Sequence, residues 1–140
     1  LQHKLRLIMW KYCGVIKNEK LLLEGLSKIE NIKTKLNDID IRIDKYNCED
    51  LALIFDLQSS LLSAKATIVS ALQRNESRGA HQRSDYPKLD SQCQFNCLVS
   101  LDDNNNLKVS KVPIKELSEG QKIIVATAKR EEDIRNKLLE

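Results

Sequence analysis

Residues 76–87, ESRGAHQRSDYP, gather the side chains in this sequence best equipped for chemistry. Glu76, Arg78, His81, Arg83 and Asp85 bring two carboxylates, two guanidinium forks and an imidazole onto one short segment. Arginine forks bind carboxylates through paired, charge-assisted bonds, and an imidazole can move protons near neutral pH. Ser77, His81 and Asp85, spaced by four, have the residue types of a nucleophilic triad. Such a triad also needs oxyanion donors, and nothing in the sequence supplies them. No catalytic residue is assigned on these grounds. The segment reads as a charged helix terminus, with Arg78, His81 and Arg83 near the negative end of the helix dipole and Asp85 turning the chain. Gly79 is expected to stop that helix. Glu76 and Arg78, two apart on a helix, would face different directions and bond to separate partners.

The other candidates for chemistry are the four cysteines, Cys13, Cys48, Cys93 and Cys97. They form no CxxC pair and follow no secretory signal, so they are expected to be reduced and structural. In an extended stretch Cys93 and Cys97 would share a face roughly 13 Å apart, too far to hold one ion. No metal site is expected. The four glycines, Gly14, Gly25, Gly79 and Gly120, are too dispersed for a phosphate-cradling GxGxxG loop.

The elements that must position this segment are mostly helical. Leu1, Leu5, Ile8, Met9 and Tyr12 step along one helical face, which Gly14 ends. Leu1 is neither a methionine nor preceded by a capping residue, so the sequence is expected to continue upstream. A second helix starts at Asn18 and Glu19 and carries a stripe at Leu22, Leu26, Ile29, Ile32, Leu36, Ile39 and Ile43. A turn is expected at 44–47, then a third helix capped by Asn47 with Asp50 in its first turn. Its face is Leu51, Ile54, Phe55, Leu61, Leu62, Ile68, Val69 and Leu72, with Ala52, Ala64, Ala66 and Ala71 allowing close approach.

Beyond Pro87 the period becomes two. Phe95, Cys97, Val99 and Leu101, a turn of Asp102 to Asn106, and Leu107 to Pro113 read as a β-hairpin. The fold class is therefore mainly α: an antiparallel three-helix bundle of the spectrin-repeat kind over 1–90, a β-hairpin extension over 91–116, and a charged tail over 117–140. That tail opens with a Ser-Glu-Gly linker, and Arg130, Glu131, Glu132 and Arg135 mark its last stretch as a charged helix or frayed end.

At 140 residues, 31% charged and 41% hydrophobic, the chain has the balance of one soluble helical domain. Purely apolar runs reach only three or four residues, so no membrane insertion is expected. The net charge of +3 comes from 23 basic and 20 acidic residues that are interspersed, which argues against a nucleic-acid track. His3 is expected on a wet face and Trp10 at a rim or an interdomain contact.

The order Glu76-Ser77-Arg78-Gly79-Ala80-His81, Gln82-Arg83, Asp85-Tyr86-Pro87 closely resembles a motif near the C-terminus of flavoprotein subunits of succinate dehydrogenase and fumarate reductase, and of the related L-aspartate oxidases. Ala71 to Arg74 leads into it as in that family. Leu5 to Met9, Gly14-Val15 and Asn18 to Leu23 resemble the opening of the family's C-terminal helical domain, with Lys17 where the family usually carries an arginine. The resemblance runs to about residue 113.

It implies a parent enzyme with an FAD-binding domain and a capping domain closing over a dicarboxylate, in which hydride passes between substrate and flavin. The family's substrate-binding and proton-transfer residues lie upstream, so this chain is expected to hold no catalytic, cofactor-binding or metal-binding residue and to be inactive alone. Glu76, Arg78, His81, Arg83 and Asp85 are expected to dock on the flavin domain of the same polypeptide. An iron-sulfur subunit is a further expected partner, in a cytoplasmic enzyme attached to a membrane only through other subunits. The alternatives are the C-terminal domain of an L-aspartate oxidase and a free-standing helical interaction module.

Overall fold

The computed structural model describes residues 1–41 and 48–137, the last six of these by backbone alone. Helix α1 spans Gln2–Tyr12 and buries Leu5, Ile8 and Tyr12, the stripe expected from the sequence. The chain then crosses a short strand β1, Ile16–Lys17, and enters α2, Glu19–Thr34. Asn18 caps α2, its side-chain oxygen accepting from Leu21 N at 2.9 Å.

The α2 stripe stops sooner than its pattern suggests. After Thr34 the backbone tightens into a 3₁₀ turn, Lys35–Asp38, and Ile39 is extended. Ile29 and Ile32 are buried, whereas Leu36 and Ile39 are only half-buried, so no packed partner rewards continuing the helix. Ile43, the turn at 44–47 and the Asn47 cap lie outside the described residues.

Helix α3, Glu49–Gln73, has Cys48 at its N-cap position with no side-chain bond, and Glu49 and Asp50 in its first turn. It buries Ile54, Leu57, Leu61, Ala64, Ile68 and Ala71. Phe55 and Leu62, expected inside, are exposed because the buried line advances by three and four residues from Ile54 and leaves them on its flanks. Helices α1, α2 and α3 share one hydrophobic core. Gly25 makes this possible: a Cβ there would lie 2.8 Å from Tyr12 Cβ and 3.4 Å from Ile68 Cδ1, where α2 meets both neighbours.

By length and composition α3 could cross a membrane, with a mean hydropathy of 1.3 over its most apolar window. This corrects the expectation from run lengths: short apolar runs separated by Ser, Gln and Ala sum to an apolar helix. In this fold its buried stripe is core.

Strand β2, Gln82–Arg83, pairs in parallel with β1, Ile16 opposite Gln82 and Lys17 opposite Arg83, a contact with no periodic signal in so short a run. A 3₁₀ turn, Ser91–Cys93, precedes the hairpin of β3, Phe95–Leu101, and β4, Leu107–Pro113. The hairpin register pairs Val99 with Val109 and Leu101 with Leu107. Its turn is built as expected: Asp102 accepts from Asn104 N and Asn106 N, and Asn105 takes φ 59°. Cys93 therefore sits in a turn, not in the extended stretch assigned to it.

Helix α4, Glu119–Lys137, starts one turn before the expected position, with Ser118 bonded to Gln121 and Gly120 inside the helix rather than in a linker. Ile123, Ile124 and Val125 of α4 are exposed.

Candidate functional site

The charged segment is not the end of α3. The helix stops at Gln73, and residues 76–88 form a looped corner. Gly79, at φ +56°, lets Arg78 and His81 close a tight turn through two main-chain bonds, Arg78 N to His81 O at 2.8 Å and His81 N to Arg78 O at 3.0 Å.

Arg83 is the centre of this corner. Its side chain is 1% exposed, and its Nε and Nη2 grip Asp85 Oδ1 and Oδ2 at 2.7 and 2.8 Å. Its Nη1 donates to Ala71 O at 3.0 Å and Arg74 O at 3.3 Å, satisfying carbonyls that the end of α3 leaves open. Asp85 Oδ2 also accepts from Glu19 N at 2.9 Å, at the positive end of α2. One ion pair thus ties the C-terminus of α3 to the N-terminus of α2. The guanidinium holds the Asp85 carboxyl well below the usual carboxylate range.

Glu76 is the second node and has no exposed surface. It accepts from Arg78 Nε and Nη2 at 2.8 and 2.9 Å, from Arg74 Nη1 at 2.5 Å, and from Asp90 N at 3.0 Å. Glu76 and Arg78 therefore bond to each other, contrary to the helical reading, because in a loop two residues apart need not diverge. Chiefly through Arg78, the Glu76 carboxyl is held down at about 2. Arg74 continues the network to the hairpin, donating to Cys93 O and Phe95 O and lying 4.8 Å from the Phe95 ring centre. Arg74, just before the motif, and Ser77, inside it and read only as a triad candidate, take their structural roles from the loop geometry.

Ser77, His81 and Asp85 are not a relay. Ser77 Oγ accepts from Arg83 N at 2.9 Å and donates to Tyr86 O at 2.9 Å. His81 Nε2 donates to Arg74 O at 3.2 Å. Asp85 serves Arg83 and Glu19. Burial, reinforced by the positive charges of Lys17, Arg83 and Arg74, lowers the His81 pKa, so the ring is neutral at neutral pH. Among the described residues no group of three His, Cys, Asp or Glu is placed to hold a metal.

Two features flank the corner. Val15 and Ile16 present apolar surface beside it, with Ile16 opposite Gln82 in the β1–β2 pair, and Trp10 of α1 is 84% exposed. Between α1, α3, the corner and β3 opens a cleft of about 600 Å³ that includes Cys13, Lys17, Ser70, Arg74, His81 and Cys97 in its wall.

The profile of the fumarate reductase flavoprotein C-terminal family matches residues 2–134, which carries the likeness through most of α4 and beyond the limit read from the sequence. The L-aspartate oxidase of Acinetobacter baylyi is 30% identical over 116 residues, 81% of this chain and 19% of that protein. The succinate dehydrogenase flavoprotein subunit of Rickettsia felis is 33% identical over 118 residues, 81% of this chain and 20% of that protein. The structure of the Mycobacterium smegmatis Sdh1 complex in the apo form superposes with a TM-score of 0.73 at 25% identity, covering 84% of this chain and 20% of that one. The chain spans about one fifth of the length of the curated relatives it matches. With α1 to α3, the hairpin and the clasped charged corner all inside the matched range, the chain belongs to the family of C-terminal domains of succinate dehydrogenase and fumarate reductase flavoproteins.

Proposed function

We propose that this chain serves as the C-terminal domain of an FAD-dependent enzyme that interconverts succinate and fumarate, braces the flavin domain of the same polypeptide, and performs no chemistry by itself. The frame is an antiparallel three-helix bundle over 1–90, with 91–116 as hairpin extension and 117–140 as charged tail. The observation that carries the docking role is the exposed apolar surface of Val15 and Ile16, which main-chain bonding and pairing to Gln82 hold against the corner, with Trp10 of α1 a further exposed aromatic. Large exposed apolar groups clustered on one face mark contact surfaces.

The five charged residues divide the work. Glu76, Arg83 and Asp85 hold the corner in shape through bonds within this chain. Arg78, with its side chain 46% exposed, and the half-buried His81 remain able to meet the flavin domain. FAD belongs to that domain, and an iron-sulfur subunit is the further partner. The similarity to an L-aspartate oxidase supports a second reading, the same domain in an amino-acid oxidase.

The test is retention of the flavin domain, produced separately, on immobilised chain. A Trp10→Ser, Ile16→Ser, Arg78→Ala form should lose most of the captured flavin absorbance while keeping the wild-type circular dichroism. Equal capture by both would end the docking reading. Fumarate reduction against aspartate oxidation by the reassembled protein separates the two reactions.

A further inference from the structure

The cleft between α1, α3, the corner and β3 is not used in that reading, and its charges are unusual. Lys17 lies in its wall and is only 6% exposed. Its Nζ donates to Val15 O at 2.9 Å, and among the described residues it forms no ion pair with a carboxylate. Burial pushes the Cys13 thiol up, so it supplies no counter-charge at neutral pH, and Arg83 repels the ammonium. Burying an ammonium without a counter-charge is costly, and its pKa is lowered, first by burial. Arg74 and His81 line the same space, and the lining contains no Asp or Glu. Asp85 and Glu76, the nearest acids of the corner, are committed to Arg83 and to Arg74 and Arg78.

A cleft of this volume has room for a small organic anion. Thr67 and Ser70 also line the wall; the Thr67 hydroxyl is committed to Ser63 O at 2.8 Å, and Ser70 lies one turn on along α3. We infer that this cleft is a carboxylate-binding site, in which Lys17 supplies the principal counter-charge, Arg74 in the wall adds positive potential, and the His81 ring is a wall that senses occupancy. Two sources can provide the carboxylate: a free mono- or dicarboxylate, or an Asp or Glu side chain on the flavin domain. The site itself goes beyond the docking proposal and stands or falls without it.

The chain carries its own control, because its two histidines are separated: His3 is exposed on α1 and His81 lines the cleft. The experiment follows both imidazoles by NMR in the isotopically labelled chain, titrated with sodium acetate and with sodium succinate at constant ionic strength, against sodium chloride. His81 should shift saturably with either carboxylate and its pKa should rise, since a nearby negative charge favours the imidazolium. His3 should follow ionic strength only. Lys17→Met should weaken binding at least tenfold, and Lys17→Arg should stay within about threefold of wild type. The proposal is overturned if His81 responds no differently from His3, if chloride produces the same shift, or if folded Lys17→Met binds as tightly as wild type. Should Lys17→Met fail to fold, the comparison of His81 with His3 in the unaltered chain decides alone. Adding the separately produced flavin domain distinguishes the sources. Loss of acetate binding then assigns the carboxylate to a side chain of that domain, and unchanged binding assigns it to a free anion.

Discussion

Replacing Arg83 with methionine removes the most connected side chain of the corner, and its cost can be worked from the bonds. Two bonds to Asp85, two to the carbonyls at the end of α3 and a stack 4.9 Å from the Tyr86 ring centre all depend on the guanidinium. Removing one partner of a buried pair costs about 3–5 kcal/mol because the other charge is left behind. The Asp85 side chain is 28% exposed, so water recovers part of its solvation, and the low end applies. Each helix-end carbonyl that loses its donor adds about 1 kcal/mol where water cannot replace it.

The expected loss for Arg83→Met is therefore about 3–4 kcal/mol, which at this chain length lowers Tm by roughly 10 °C. Arg83→Lys keeps the charge but not the fork, and should lose about 2 kcal/mol. Urea denaturation followed by circular dichroism measures both. A double-mutant cycle with Asp85→Asn should show coupling above about 1 kcal/mol. A loss under about 1 kcal/mol for Arg83→Met would refute the clasp as a structural element.

Two other perturbations test the same physics. Glu76 titrates at about 2 in the fold against an ordinary value of 4.5, so the stability it contributes is complete above about 4.5 and disappears as pH falls towards 2. Acid unfolding of the wild type should show that loss, and Glu76→Gln should be less stable at neutral pH with a flatter acid limb. Gly25→Ala should destabilise by about 1–3 kcal/mol despite alanine's better helix propensity, because its Cβ would meet Tyr12 Cβ at 2.8 Å; thermal melts check the sign.

Local residue pattern was enough to place several elements. The 3.6-residue period placed α1 and the first turns of α2, the Asn18 cap marked where α2 starts, and the two-residue alternation with its Asx-rich turn located the hairpin. The order of residues in the motif carried the family. Tertiary structure decided what those patterns cannot encode. Whether the α2 stripe stays helical past Thr34 depends on a neighbour to pack against, and Leu36 and Ile39 find only partial cover. Whether Glu76 meets Arg78 depends on α3 ending at Gln73, five residues before Arg78, so that a loop and not a helix sets their directions. The burial of Lys17 beside a carboxylate-free cleft arises from a parallel contact between residues 16–17 and 82–83, a long-range pairing of two-residue strands that leaves no periodic trace in the chain.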